Sequence, residues 1–345
     1  MPDAFVPLTQ VAVLIAARNE AATISTLLDA LLQQNYPLDL LQIILINDHS
    51  DDETAEIAAI YAKNHPKAVF LLHAIGEGKK AALTQAISFT NAELIVTTDA
   101  DCLPASGNWL QHIVFSYQNT QAKAIAAPVI FHNEQNLLGR FQTLDFIGMM
   151  GVTAVGIRSK TLLLCNGANF AFPRRVFWEV GGYTDNAQWA SGDDVFLLHK
   201  IAAKYPDNLQ FIKHPEAIIL TEPKHEFPEF LAQRLRWGTK NRSYSKPMIT
   251  VVLGIVWLYC LTLCFTFFGI LVLQTSFSAF FISILLKIIV DYFYLRTIAR
   301  FFNRLDVLRL YTFLPAQLLY LIYLAFIGVL ANFIKKYDWK GRNVS

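Results

Sequence analysis

The chain has 345 residues, of which 54% are hydrophobic and only 16% charged, whereas an ordinary soluble domain carries about 25% charged residues. That balance argues against a purely soluble protein and excludes disorder and collagen-like repeats. Four scattered cysteines (Cys102, Cys165, Cys260, Cys264) do not make a disulfide scaffold, and no Cys-x-x-Cys pair points to zinc. Met1–Gln10 lacks the basic start and long apolar core of a secretory leader. From there the chain alternates. Val11–Ala17 is a continuous apolar run expected as a buried strand, and Ala21–Gln34 has helical spacing. Gln42–Ile46 repeats the strand signal and a helix is expected from Glu53 to Lys63. Ala68–His73, Leu94–Thr98 and Lys123–Phe131 are further strands, with helices over Lys79–Phe89 and Trp109–Asn119. Apolar strands alternating with helices predict an α/β fold whose mainly parallel sheet is covered on both faces.

Ligands of such sheets bind beyond the carboxyl ends of the strands. The first strand is followed by Arg18-Asn19-Glu20, the second by Asn47-Asp48-His49-Ser50-Asp51-Asp52, and the fourth by Asp99-Ala100-Asp101. Each acidic cluster alone fits a solvated turn or a helix cap, and Asp51 and Asp52 fit a cap on the next helix. Three such ends on one edge also fit a ligand site. An alternating Asp pair in extended chain can offer one carboxylate to Mg²⁺ or Mn²⁺ and the other to water or substrate.

Further along, Asn136–Ile157 is apolar with few charges and reads either as a core helix or as an amphipathic segment at a membrane surface. Gly192-Asp193-Asp194, after Ser191, opens an apolar helix Val195–Ala203; the two acids are either caps or a general base facing a cleft. Gln233-Arg234-Leu235-Arg236-Trp237 is a basic juxtamembrane anchor or a ligand-binding segment. Then the composition changes. Residues up to Lys246 carry 20 Lys+Arg and 24 Asp+Glu, and Pro247–Ser345 carry 9 and 3. Met248–Leu273 has 26 residues without a charge and Leu310–Ile334 has 25; about 20 apolar residues span a bilayer. A third span, Phe277–Ile298, holds Lys287 and Asp291, four apart and able to neutralise each other. Arg300, Arg304 and Arg309 place the second connection inside, whereas three spans put the basic tail Lys335–Arg342 outside, against the same rule.

Taken in order, Ala16-Ala17-Arg18-Asn19-Glu20, Asn47-Asp48-His49-Ser50-Asp51, Gly78-Lys79 with Ala82-Leu83, Asp99-Ala100-Asp101, Gly192-Asp193-Asp194 and Gln233-x-x-Arg236-Trp237 resemble the membrane-anchored family-2 glycosyltransferases. That family includes cellulose, chitin and poly-N-acetylglucosamine synthases and ceramide glucosyltransferases. The resemblance covers roughly residues 8–240. It implies a GT-A fold, a Rossmann-like catalytic domain over residues 1–240 with interfacial helices near 136–157 and 226–246. A membrane domain over 247–345 would follow, with spans near 248–273, 276–298 and 311–334. It further implies that Ala16, Arg18, Glu20, Asp48, Asp51, Lys79 and Asp99 line the UDP-sugar, that Asp101 ligates Mg²⁺ or Mn²⁺, and that Asp194, with Asp193 beside it, is the catalytic base. Arg236 would neutralise the diphosphate leaving group, Trp237 would stack on the acceptor and Gln233 would lie nearby. Asn166–Phe172 and Gly181-Gly182-Tyr183 resemble an acceptor-side loop.

Two departures stand out. Asp193 occupies a position where the family usually has Glu, and Thr84 one where Asn is common. Two or three spans are few for a self-contained polymer channel. The expectation is therefore an inverting, metal-dependent hexosyltransferase that moves sugar from a UDP-sugar to a lipid acceptor. It would be a multi-pass protein of the cell membrane with a cytosolic catalytic domain and no nucleic-acid partner. The alternatives are a processive polysaccharide synthase using a glycan acceptor and partner subunits for export, and an inactive nucleotide-binding scaffold.

Overall fold

The structure, a computed structural model, describes residues 5–184, 192–239, 247–273, 277–330, 337–339 and 342–344. It divides into two compact units, Met1–Ile130 with Thr153–Glu222 and Asp338–Ser345, and Phe131–Val152 with Pro223–Tyr337.

The first unit begins with strand β1 (Val11–Ala17), helix α1 (Ile24–Leu32), β2 (Leu41–Asn47), α2 (Thr54–Asn64), β3 (Val69–His73), α3 (Lys79–Phe89) and β4 (Leu94–Asp99). Val11–Ile15 are completely buried, as is Ile43–Ile46, which is why these strands read as uninterrupted apolar runs and not as alternating ones. Helix α1 buries Ile24, Leu27, Leu28 and Leu31, one stripe at helical spacing. Next come β5 (Cys102–Pro104), α4 (Trp109–Thr120), β6 (Ala124–Ala126), β7 (Val129–Phe131), α5 (Leu137–Ser159), β8 (Phe170–Pro173), α6 (Arg174–Glu179), α7 (Asp193–Lys204), β9 (Leu209–Phe211) and β10 (Ile219–Thr221). The large sheet has the order β3-β2-β1-β4-β8-β6-β9, and β5-β10-β7 form a smaller one. In the large sheet β1, β2, β3 and β4 run parallel and, among the described residues, β8 alone is antiparallel to its neighbours, whereas in the smaller sheet β10 pairs antiparallel with β5.

The strand expected over Lys123–Phe131 is two strands in two sheets. Pro128 sits at the break; lacking an N–H, it cannot continue a central ladder. Its carbonyl instead accepts the N–H of Ile219 at 3.0 Å. Four short strands (β5, β8, β9, β10), three or four residues each, give no periodicity for a sequence reading to detect.

The second unit comprises the first part of α5, helix α8 (Phe227–Thr239) and three long helices, α9 (Pro247–Leu273), α10 (Phe277–Phe301) and α11 (Leu310–Leu330). Three stretches, Met248–Ile270, Phe277–Phe301 and Leu310–Leu330, are long and apolar enough to cross a membrane. Phe265, Phe268, Phe281, Val290 and Ile322 are exposed on them, the surface that a hydrocarbon solvent accommodates. Lys287 does pair with Asp291, at 2.6 Å, and also donates to Oε1 of Gln317 on α11 at 2.5 Å. Helices α9 and α11 approach closely at Gly328, where Trp257 Nε1 donates to the Ala325 carbonyl at 3.2 Å. Residues 240–246 of the expected interfacial helix, residue 276, residues 331–334 of the last span, and Lys335, Lys336, Lys340 and Gly341 of the tail lie outside the described residues, as does Ser191. Strands β11 (Tyr337–Trp339) and β12 (Arg342–Val344) pair with each other.

Candidate active site

The sheet register decides which side chains of the first unit meet. Ala17 stands beside Asn47 and Ala16 beside Asp99, so β1, β2 and β4 end on one edge. Just beyond, two loops interlock. Arg18 Nη1 donates to the carbonyls of Asp48 and His49 at 3.2 and 3.0 Å, and Nη2 lies 3.7 Å from the exposed carboxylate of Asp51. Asn19, at φ 53°, donates its N–H to Ser50 and accepts that of Asp51. Glu20 N–H donates to Thr54 Oγ1 at 2.8 Å. Of the two acids expected as caps neither is the N-cap of α2, which is Glu53, but Asp52 accepts the N–H groups of Thr54, the first residue of that helix, and of Ala21 at 3.1 and 3.0 Å. Burial opposes ionisation of Asp52, but hydrogen bonds from Thr54 and Ala21 outweigh it and hold the carboxyl below its usual range.

Asp48 is buried; its Oδ2 accepts the N–H of Gly78 at 3.1 Å and its Oδ1 lies 3.1 Å from His49 Nδ1. Gly78 has φ +88°, a conformation that costs glycine nothing, and it launches α3 with Lys79 as the first residue. Lys79 Nζ donates to Asp99 Oδ1 at 2.5 Å and lies 3.7 Å from Asp193 Oδ2. Burial would discharge this amine, but the carboxylates of Asp193 and Asp99 dominate and hold it well above its ordinary value. Its neighbour Lys80 is pushed down by burial.

Asp193 and Asp194 form the first turn of α7, after Gly192 at φ +81°. A helix N-terminus favours negative charge there. Asp193 is buried against Lys79, whereas Asp194 accepts the N–H of Gly167 through Oδ2 and that of Val195 through Oδ1, both at 2.8 Å. These two bonds fix the orientation of the Asp194 carboxylate. Gly167 belongs to a 3-10 turn, Gly167–Asn169. A Cβ at 167 would sit 3.3 Å from Lys79 Nζ and 3.5 Å from Asp193 Oδ2, so glycine lets the chain pass close to the charges. Thr97 Oγ1 holds the Gly167 carbonyl at 2.7 Å. Asn169, 1% exposed, accepts from Trp109 Nε1 at 3.0 Å and donates to the carbonyls of Pro128 and Ala217, each at 2.8 Å.

Asp99 and Asp101 could hold a divalent ion. Their carboxylates and Cys102 Sγ lie within 4.8 Å of one another. Burial, then the charges of Asp101 and Asp99, push the Cys102 thiol well above its usual value; a neutral thiol is a poor partner for a hard cation. Two carboxylates plus substrate phosphates suit Mg²⁺ or Mn²⁺, so the donor set fits. A second cluster, His112, His214 and Glu216, has its donors occupied. Glu216 takes His112 Nε2 at 3.0 Å and Asn108 at 2.8 Å, His214 Nδ1 accepts the Glu216 N–H at 3.3 Å, and the two imidazoles stack at 3.8 Å with 23° between planes.

The structure therefore ties Lys79, Asp99, Asp193 and Asp194 into one charge cluster, with Asp48 attached through Gly78. Gln233, Arg236 and Trp237 lie on α8 in the second unit. Trp237 packs against Phe146 and against Arg234, which is paired with Asp145. The motif reading passed over Arg234 and Asp145; an isolated acid inside the apolar 136–157 segment was the available signal.

Residues 12–181 match the family model described as glycosyl transferase family 2. A probable glycosyltransferase YdaM of Bacillus subtilis is 26% identical over 241 residues, 68% of this chain and 56% of that protein, so the match spans little more than half of that relative's length. The poly-β-1,6-N-acetyl-D-glucosamine synthase of Staphylococcus epidermidis is 26% identical over 301 residues, 78% of this chain and 69% of that one. The β-monoglucosyldiacylglycerol synthase of Trichormus variabilis is 36% identical over 118 residues, 33% of this chain and 25% of that one. Among solved structures, the mannosyltransferase PcManGT of Pyrobaculum calidifontis, in complex with GDP-Man and Mn²⁺, superposes with a TM-score of 0.55 and 19% identity over 95% of this chain and 90% of that one, a likeness of GT-A fold.

Proposed function

The chain carries a family 2 glycosyltransferase domain over residues 12–181, and from that premise we propose that it transfers a hexose-type sugar from a UDP-sugar to a lipid acceptor, with inversion and with a divalent ion. The observation that carries this reading is the cluster at the strand ends, where Lys79 links Asp99 to Asp193 and Gly167 orients Asp194. Asp48, Asp51, Arg18, Glu20, Ala16, Lys79 and Asp99 hold the nucleotide-sugar. Asp101, with Asp99 close by, would hold Mg²⁺ or Mn²⁺, which would offset negative charge on the diphosphate leaving group. Asp194 takes the proton of the acceptor hydroxyl: its carboxylate is fixed by two N–H groups, whereas Asp193 is engaged with Lys79. The acceptor oxygen then bonds to the anomeric carbon as the bond from that carbon to the diphosphate oxygen breaks, and this single in-line displacement gives inversion. Arg236 offsets leaving-group charge, and Trp237 stacks on the acceptor with Gln233 beside it.

The lipid acceptor is supported by three helices able to cross a bilayer and by a relative named as a glycolipid synthase. On this reading the chain is a multi-pass protein of the cell membrane with its catalytic domain in the cytosol. The longer alignment with a poly-N-acetylglucosamine synthase favours the second reading, a processive synthase with a glycan acceptor and partner subunits for export. The test incubates the purified chain in vesicles with radiolabelled UDP-glucose, UDP-galactose and UDP-N-acetylglucosamine and Mn²⁺ or Mg²⁺. Label extracting into organic solvent supports the lipid acceptor; polymer retained on a filter overturns it. UDP release that survives both Asp194→Asn and Asp101→Ala removes the mechanism.

A further inference from the structure

Arg234 is 2% exposed on α8. Its Nη1 meets Asp145 Oδ2 at 2.9 Å, and its Nε and Nη2 are buried without a hydrogen-bond partner. The guanidinium lies 4.3 Å from the ring centroid of Trp237 and 5.2 Å from that of Phe230. Phe146, next to Asp145 on α5, touches the same tryptophan at 6.3 Å. Buried guanidinium N–H groups ordinarily find oxygen. Here one carboxylate and two aromatic faces hold the charge, an arrangement that keeps the cation over the Trp237 ring and not turned toward further acceptors. A planar cation over an aromatic face attracts it electrostatically, and lysine does not reproduce the stack.

We propose that Arg234, held by Asp145, is a positioning residue that fixes the ring plane of Trp237 for the acceptor. This rests on the reading of Trp237 as the acceptor-stacking residue. Arg234 is buried among Asp145, Phe230 and Trp237 and acts through the indole, so its loss affects turnover on the acceptor and leaves donor affinity in place. Misplacing a substrate-contacting ring by about an ångström costs up to roughly 100-fold in rate.

The test compares the wild-type chain with Arg234→Lys, Asp145→Asn and Trp237→Phe in vesicles containing diacylglycerol. UDP-glucose or UDP-N-acetylglucosamine and Mn²⁺ are supplied, and UDP release is read as kcat and donor KM. Acrylamide quenching of Trp237, isolated by subtracting the Trp237→Phe signal, is the second readout. For Arg234→Lys the expectation is a kcat lower by on the order of 10- to 100-fold, a donor KM within about twofold, and a more quenchable Trp237, with Asp145→Asn moving the same way to a smaller extent. Unchanged kcat, or kcat and donor affinity lost together, overturns the proposal. If the wild type turns over neither donor, the functional reading above fails, and the quenching decides alone: a Trp237 signal identical in Arg234→Lys and wild type overturns the positioning role.

Discussion

Asn169→Ala should destabilise the first unit by about 3 kcal/mol. The side chain is buried at the turn that carries Gly167, and it satisfies three groups at once. Truncation strands the Trp109 indole N–H, itself in a fully buried residue, and removes the Asn169 donor from the Ala217 carbonyl. The Pro128 carbonyl loses one donor but keeps the Ile219 N–H. Each buried group left unpaired costs about 1–3 kcal/mol, so two such groups set the figure and the third adds little. In a unit of this size 1 kcal/mol moves Tm by about 2–4 °C, giving a fall of roughly 6–12 °C. Thermal denaturation of the purified chain in detergent, followed by tryptophan emission and near-UV circular dichroism, reads it. Asn169→Asp sharpens the test. A carboxylate facing two carbonyls favours its protonated form, so its folded pKa is raised. Its stability is fully present at low pH and is lost as pH rises, and Tm of this variant should recover between pH 8 and pH 5. A fall of less than about 2 °C for Asn169→Ala would mean that the two groups find other partners without cost, and the anchoring of the turn by Asn169 would be refuted.

The helix pair α9–α11 gives a matched comparison. A Cβ at Gly328 would fall 2.1 Å from Trp257 Cδ1, whereas one at Gly254 meets nothing within 4 Å. Gly328→Ala should therefore cost about 1–3 kcal/mol by overpacking, and Gly254→Ala should be neutral within about 0.5 kcal/mol, both measured by thermal unfolding in detergent. The His112–His214–Glu216 stack should make stability fall with acid. Burial, then the neighbouring His112, pushes His214 below its ordinary 6.5, with Glu216 opposing, so its contribution is complete above pH 6.5 and is lost as pH falls through that value toward the lowered one. Glu216 is lowered from 4.5 by His112 and Asn108, and its contribution is lost only below pH 4.5. His214→Asn keeps an acceptor for the Glu216 N–H and removes the titration; its Tm should vary less than the wild type's between pH 7 and 5, and an unchanged slope would count against the pairing.

The large elements were legible because burial on both faces leaves the strands continuous and apolar, and the acids stand out where those runs stop. Asp48 and Asp99 stand out in that way, Asp193 at the start of an apolar helix and Lys79 only through the family resemblance, and the structure brings them together. What holds them was not legible. Gly167 and Asn169 act through backbone and amide groups whose partners lie 27 to 70 residues away in sequence, and no local pattern records such a bond. The split at Pro128 was hidden because Ala124–Ala126 and Val129–Phe131 are both apolar and fuse into one run. Arg234 and Asp145 escaped because a motif assigns weight to Gln233, Arg236 and Trp237 and passes over the residue between them.

On the membrane reading proposed above, the Lys287–Asp291 pair bears on how the chain is made. A lone charge near a bilayer centre costs about 2.5–3.5 kcal/mol on insertion scales, and the middle of α10 carries two, Lys287 and Asp291, with Arg296 and Arg300 nearer its end. One helical turn apart and in contact, they enter as a neutral dipole and not as separate ions. Lys287's further partners, Gln317 and the ring of Tyr320, belong to a helix that leaves the ribosome later. The last amide to complete this polar triad thus arrives with α11, so α10 and α11 are fitted for joint insertion as a hairpin.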